Sequence, residues 1–131
     1  MKLKEIMSEV PFFLHPDRSI RLAAEVMEWQ FIRHVPVVDA DRKVVGIVTY
    51  RDLLRAFLEK GSDAACLISD VMRKFVLTAG PDMEIESAAR EMLENRIGCL
   101  PIVDSAGGLV GIVTEADFVR TIAEGRIAPR D

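Results

Sequence analysis

At 131 residues, half of them apolar and 29% charged, the chain has the size and balance of one folded domain, not of a disordered or low-complexity segment. Its formal charge of −4 offers no basic field for a phosphate backbone, which argues against nucleic acid as a partner. Apolar runs such as Val44 to Val48 fall far short of the roughly 20 residues of a membrane span, and no apolar leader follows Met1 to Glu5, so a cytoplasmic protein without membrane attachment is expected.

The elements come in the same order twice. Met7 opens the first set, and Asp17 or Ser19 is placed to cap a helix whose apolar positions Ile20, Ala23, Ala24, Met27 and Phe31 recur at helical steps. His34 to Val38 reads as a strand, Asp39 to Arg42 as a turn and Val44 to Val48 as the strand that completes a hairpin. Past Thr49, the residues Leu53, Leu54, Phe57 and Leu58 return to helical spacing and stop near Gly61. The second set predicts helices near Ile85 to Glu94 and Glu115 to Glu124, with strands near Cys99 to Val103 and Leu109 to Val113 around a glycine-rich turn, Asp104 to Gly108.

An offset of 65 residues superposes the two sets without a gap from Met7 to Glu59, with 19 identities. They run from Met7/Met72 through Pro16/Pro81, Ile20/Ile85, Ala23/Ala88 and Met27/Met92 to a dense block that includes Val45/Val110, Gly46/Gly111, Ile47/Ile112, Val48/Val113, Thr49/Thr114 and Asp52/Asp117. Repeat 1 is placed at 1–60, a joint at 61–65, repeat 2 at 66–125 and a tail at 126–131. The second strand of each set is apolar without alternation, which implies cover on both faces. The expected fold is α/β, or α+β, with two pseudo-symmetric repeats packed sheet to sheet around a cleft on each side.

Three features resemble a tandem pair of CBS domains, the regulatory modules named after cystathionine β-synthase. They are Met7 and Met72 ahead of each capped helix, the strands Val35 to Asp39 and Leu100 to Asp104, and the signatures Gly46-Ile47-Val48-Thr49-Tyr50-Arg51-Asp52 and Gly111-Ile112-Val113-Thr114-Glu115-Ala116-Asp117. The resemblance implies β-α-β-β-α repeats and a sensor without catalytic activity that binds AMP, ADP, ATP or S-adenosylmethionine between them, requiring no cofactor or metal. It also implies a homodimer and an effector protein as partner.

Carried over by position, one cleft joins Met7, Val10, Ile32, Arg33 and His34 to Thr114 and Asp117. The other joins Met72, Phe75, Ile97, Gly98 and Cys99 to Thr49, Arg51 and Asp52. The resemblance puts the carboxylate on the ribose hydroxyls. A threonine hydroxyl and the free amides of a helix start suit phosphate oxygens. Arg33 and His34 give the first cleft a cationic edge, which Gly98 and Cys99 do not give the second, although Arg51 offers partial compensation.

Plainer readings stand beside these. Thr-x-x-Asp is also a capping box, which explains the spacing with no ligand. Met7, Met27, Met72 and Met92 fit a core, Trp29 an edge or a subunit contact, and Arg33 and His34 an ordinary surface. Cys66 and Cys99 are isolated thiols without metal-ligand spacing, and no nucleophile stands beside a base. Two function classes remain: an adenine-nucleotide sensor, and a ligand-free dimerisation or interaction module that regulates an enzyme or transporter.

Overall fold

A computed structural model describes residues 1–9, 12–61 and 65–127. The chain forms two compact units, one of Phe12–Val76 (unit A) and one of Met1–Pro11 with Leu77–Asp131 (unit B). Unit A holds α1 (Ile20–Gln30), β1 (His34–Val38), β2 (Val44–Thr49), α2 (Tyr50–Lys60) and the short α3 (Ile68–Val71). Unit B holds a 3-10 turn at Leu3–Glu5, then α4 (Ile85–Asn95), β3 (Cys99–Val103), β4 (Leu109–Thr114) and α5 (Glu115–Ala123).

Each element follows from local chemistry. Ser19 caps α1, its hydroxyl accepting from the Leu22 amide at 3.3 Å. The helix buries Ile20, Ala23 and Met27, as its spacing requires. Both hairpins turn on an aspartate whose Oδ1 accepts two backbone amides. Asp39 takes those of Asp41 and Lys43, and Asp104 those of Ala106 and Gly108. β1 pairs antiparallel with β2 and β3 with β4 in the same register, each with an irregularity one residue before the strand ends. The cores are equivalent too. Val35, Val37, Val48, Ile20 and Met27 fill unit A, and Leu100, Ile102, Val113, Ile85 and Met92 fill unit B.

Packing does not follow the boundaries of the repeats. The segment that opens repeat 2 lies against the hairpin of repeat 1, and the segment that opens repeat 1 lies against the hairpin of repeat 2. Arg73 exchanges backbone hydrogen bonds of 2.8 and 3.0 Å with Ile47, and Ser8 exchanges bonds of 3.0 and 3.1 Å with Ile112. On the opposite edge of each hairpin, Leu14 bridges to Val37 and Ala79 to Ile102. The compact units divide near 11 and 76, not at the joint expected at 61–65, of which residues 62–64 lie outside the described residues.

Glycine in the signature has a steric cause. A Cβ on Gly46 would lie 2.5 Å from the Met72 sulfur and 3.0 Å from the Arg73 carbonyl, and one on Gly111 would lie 2.5 Å from the Met7 sulfur and 3.0 Å from the Ser8 carbonyl. Thioether and backbone therefore lie directly on the second strand. Gly46→Ala and Gly111→Ala are each expected to cost about 1–3 kcal/mol in urea unfolding. Gly80→Ala, with open space around it, should stay within about 0.5 kcal/mol of the parent.

The exchanged segments differ in how they are fastened. In both units the backbone bonds repeat at the 65-residue offset: Leu3 to Met83 and Lys4 to Pro81, Ile68 to Arg18 and Ser69 to Pro16. Unit B adds ion pairs, Lys2 with Glu84 at 2.9 Å and Lys4 with Asp82 at 3.0 Å. The Lys2 hydrogen bond and charge hold the Glu84 carboxyl below its ordinary range, and those of Lys4 do the same for Asp82. A depressed carboxylate stabilises at neutral pH and ceases to do so as pH falls through its folded-state value. Amide NMR shifts of Leu3 and Lys4 should accordingly report loosening on acidification below about pH 4. Asp82→Asn with Glu84→Gln should abolish that acid transition and lower the salt sensitivity of the segment at neutral pH.

Candidate functional site

The two signatures end their strands at Thr49 and Thr114, and the next residue starts a helix. In unit A the Thr49 hydroxyl accepts from the Asp52 amide at 3.1 Å, and an Asp52 oxygen accepts from the Thr49 amide at 3.4 Å. In unit B one Asp117 oxygen accepts from the Thr114 amide at 2.8 Å and from the Thr114 hydroxyl at 3.4 Å. The reciprocal cap is thus complete in unit A, while in unit B the acid's half is made and the Thr114 hydroxyl turns to the carboxylate. It leaves room for a ligand role, because the cap holds each carboxylate in a fixed rotamer at the open end of a helix.

Both carboxylates are buried, with 7% of each side chain exposed. Buried charge requires partners. The Arg73 guanidinium reaches Asp52 with Nε 3.3 Å from Oδ2 and Nη2 3.5 Å from Oδ1, and Arg55 Nη1 stands 3.9 Å from Oδ1. In unit B Arg120 pairs with Asp117 Oδ1. The Thr121 hydroxyl, one turn on, donates to the Asp117 carbonyl at 2.6 Å.

Several sequence-predicted residues come together within the units. Unit A sets Met72 against Gly46, three residues before Thr49, and carries Thr49, Arg51 and Asp52 at the start of α2, with Phe75 fully exposed two residues past Arg73. Unit B sets Met7 against Gly111, three residues before Thr114, and carries Asp117 in the first turn of α5. Val10 lies outside the described residues.

The pre-strand residues sit beside the signature of their own repeat. The Tyr50 amide donates to the Arg33 carbonyl at 2.8 Å, the Arg33 guanidinium lies 5.8 Å from the Tyr50 ring centre, and His34 pairs with Thr49 across the hairpin. In unit B the Glu115 amide donates to the Gly98 carbonyl at 3.1 Å, and Cys99 pairs with Thr114. Ile32 packs on the core of unit A and Ile97 on that of unit B. Within the units, then, Arg33 and His34 neighbour the Thr49 signature.

Sequence reasoning missed Arg73, and the Arg55/Arg120 pair, identical at the 65-residue offset, carried no expected role. The available signal was a break in the repeat beside an invariant pair: Met7-Ser8 against Met72-Arg73.

A cavity of about 200 Å³ adjoins Asp52 on the side of α2 that faces α3, lined also by Arg55, Glu59, Lys60 and Asp70. It is smaller than the roughly 300–1,000 Å³ usual for a small-molecule site. Among the described residues no group of three or more histidine, cysteine, aspartate or glutamate side chains could hold a metal ion, and no helix is long and apolar enough to cross a membrane.

Comparison with known proteins agrees with this geometry. The CBS domain model matches residues 3–59 and 68–124. Among solved structures, a CBS domain pair in complex with 5′-methylthioadenosine and S-adenosyl-L-methionine is 33% identical with a TM-score of 0.86, covering 93% of this chain and 99% of that one. CBSX2 in complex with AMP is 26% identical with a TM-score of 0.85, covering 96% and 98%.

Among curated relatives, inosine-5′-monophosphate dehydrogenase of Thermoplasma acidophilum is 42% identical over 82% of this chain and 21% of its own length. Homoserine O-acetyltransferase of Methanococcus vannielii is 34% identical over 92% and 24%. The chain thus spans about a quarter of these relatives. With two matched repeats, two glycine-bearing signatures and near-complete overlap with solved pairs, the chain belongs to the CBS domain family as a tandem CBS pair.

Proposed function

We propose that this CBS pair is a regulatory sensor of adenosine-containing ligands (AMP, ADP, ATP or S-adenosylmethionine) and that it performs no catalysis of its own. The observation that carries the reading is the pair of buried, pre-oriented carboxylates, Asp52 and Asp117, each at a helix start that receives the Met segment of the other repeat. Solved pairs of the same fold hold 5′-methylthioadenosine, S-adenosyl-L-methionine and AMP. A carboxylate of this kind accepts both hydroxyls of a ribose, and the helix-start amides and threonine hydroxyl receive phosphate or other polar groups.

One set of ligand contacts is Thr49, Arg51, Asp52, Met72 and Phe75, with Ile97. The other is Met7, Val10, Thr114 and Asp117, with Ile32, Arg33 and His34. Because Asp52 belongs to repeat 1 and Met72 and Arg73 to repeat 2, a ligand on Asp52 acts on a junction between repeats. Its output equals the difference in its affinity for the two states of that junction.

Calorimetric titration with AMP, ATP and S-adenosylmethionine is expected to show saturable binding of at least one. Asp52→Ala combined with Asp117→Ala should weaken it by more than about tenfold, since each lost charged hydrogen bond is worth about 1.5–3 kcal/mol. Silence of all three at millimolar concentration would reject the sensor reading.

A second reading has its own observation. Trp29, Phe31, Tyr50, Leu54 and Leu58 in unit A, and Leu93, Val119 and Ile122 in unit B, are large apolar side chains left exposed on or beside helices. A dimerisation or interaction module regulating an effector protein would use such surfaces. For that reading, sedimentation should show a concentration-dependent homodimer and the melting temperature should be indifferent to every nucleotide.

A further inference from the structure

Around the signature the repeats share their motif but differ in charge. Near the start of α2, unit A carries Arg33, Arg51 and Arg73. The equivalent positions of unit B carry Gly98, Ala116 and Ser8. The backbone is the same in both, since Arg73 pairs with Ile47 as Ser8 pairs with Ile112. The difference lies wholly in the side chains.

Arg73 spans both oxygens of Asp52, at 3.3 and 3.5 Å. Those are the acceptors that a ribose diol would need. Ser8 offers no cation to Asp117, whose guanidinium partner is Arg120 from its own helix. Arg55 stands to Asp52 as Arg120 stands to Asp117, so Arg73 is the added element.

Building on the adenosyl-ligand reading, we propose that Arg73 is a built-in counter-ion that makes the Asp52 site favour anionic over neutral adenosyl ligands, a discrimination that Ser8 does not supply at Asp117. Sugar hydroxyls that donate to Asp52 must displace the guanidinium. The Arg73 side chain is 53% exposed, so its head is free to swing. Once displaced, it is an unpaired cation close to Arg55, which already stands 3.9 Å from the same carboxylate, and that is unfavourable. A nucleotide brings its own phosphate to take up that guanidinium in a bidentate bond. 5′-Methylthioadenosine brings no anion, and the sulfonium of S-adenosylmethionine adds to the repulsion. At Asp117 the exchange involves Arg120, and no second guanidinium from the incoming segment is released.

The test measures AMP and 5′-methylthioadenosine by calorimetry on the full chain. Asp117→Ala isolates the Asp52 site and Asp52→Ala isolates the Asp117 site. The Asp52 site should prefer AMP by about tenfold or more, the scale of one charge-assisted contact. Adding Arg73→Ser should erase most of that preference, Arg73→Lys should retain part of it, and raised salt should diminish it. In the reciprocal experiment, Ser8→Arg should create an AMP preference at the Asp117 site. That variant keeps the proposal testable should Arg73→Ser fail to fold by circular dichroism.

An AMP to 5′-methylthioadenosine ratio unchanged within about threefold in both the Arg73 and the Ser8 variants would overturn the proposal and leave the sensor reading standing. If neither ligand binds the parent chain, this inference fails, and the sensor reading is then decided by ATP and S-adenosylmethionine.

Discussion

Close contact between a methionine sulfur and a glycine on the second strand of each hairpin is the constraint on which the signature region depends. Because Gly46 has no Cβ, Met72 lies on β2 and the next residue aligns its backbone with Ile47. That alignment places Arg73 beside Asp52. The same sequence of causes runs from Gly111 through Met7 to Ser8, with serine at the end of it. A steric requirement at one atom thus determines which side chain reaches a carboxylate at the next helix. Partial burial of each methionine against the core of its unit helps hold the arrangement in place.

The signature aspartates illustrate how a structural role and a recognition role share one residue. A carboxylate that closes a capping box is spared rotamer freedom and desolvated in advance, costs a ligand would otherwise meet on binding. Burial then demands a cation, and the two repeats answer that demand differently. Unit A recruits Arg73 and Arg55, and unit B uses Arg120. Conserving the fold while varying the counter-ion is an economical route from duplication to two unlike sites.

Local structure was largely legible in the sequence. The spacing of Ile20, Ala23 and Met27, the cap at Ser19, and the turns at Asp39 and Asp104 all report contacts within a few residues, and the observed strand and helix ends lie within a residue or two of those expected. The duplication was legible because 19 identities share one offset. Exchange of the opening segments was expected only through the family resemblance, which set Met7 with Asp117 and Met72 with Asp52, since single-residue bridges such as Arg73 to Ile47 leave no periodicity. The Arg73 to Asp52 pair is invisible for the same reason. Glycine in the signature was read as part of a motif, whereas its cause, the incoming sulfur, comes from another repeat.

Segment exchange also bears on how the chain is made. Unit A is continuous, Phe12–Val76, so its sheet edge closes once Arg73 has left the ribosome. Unit B must bring Ser8 to Ile112 across a loop about four times as long, two doublings that add about 1.2 kcal/mol of closure entropy. Until β4 has been synthesised, Leu3, Ile6 and Met7 have no core to enter, although all three end up in or against the unit B core. Synthesis therefore produces the first-completed unit with the apolar opening segment still waiting for its core, an interval in which a chaperone or a neighbouring nascent chain competes for that segment.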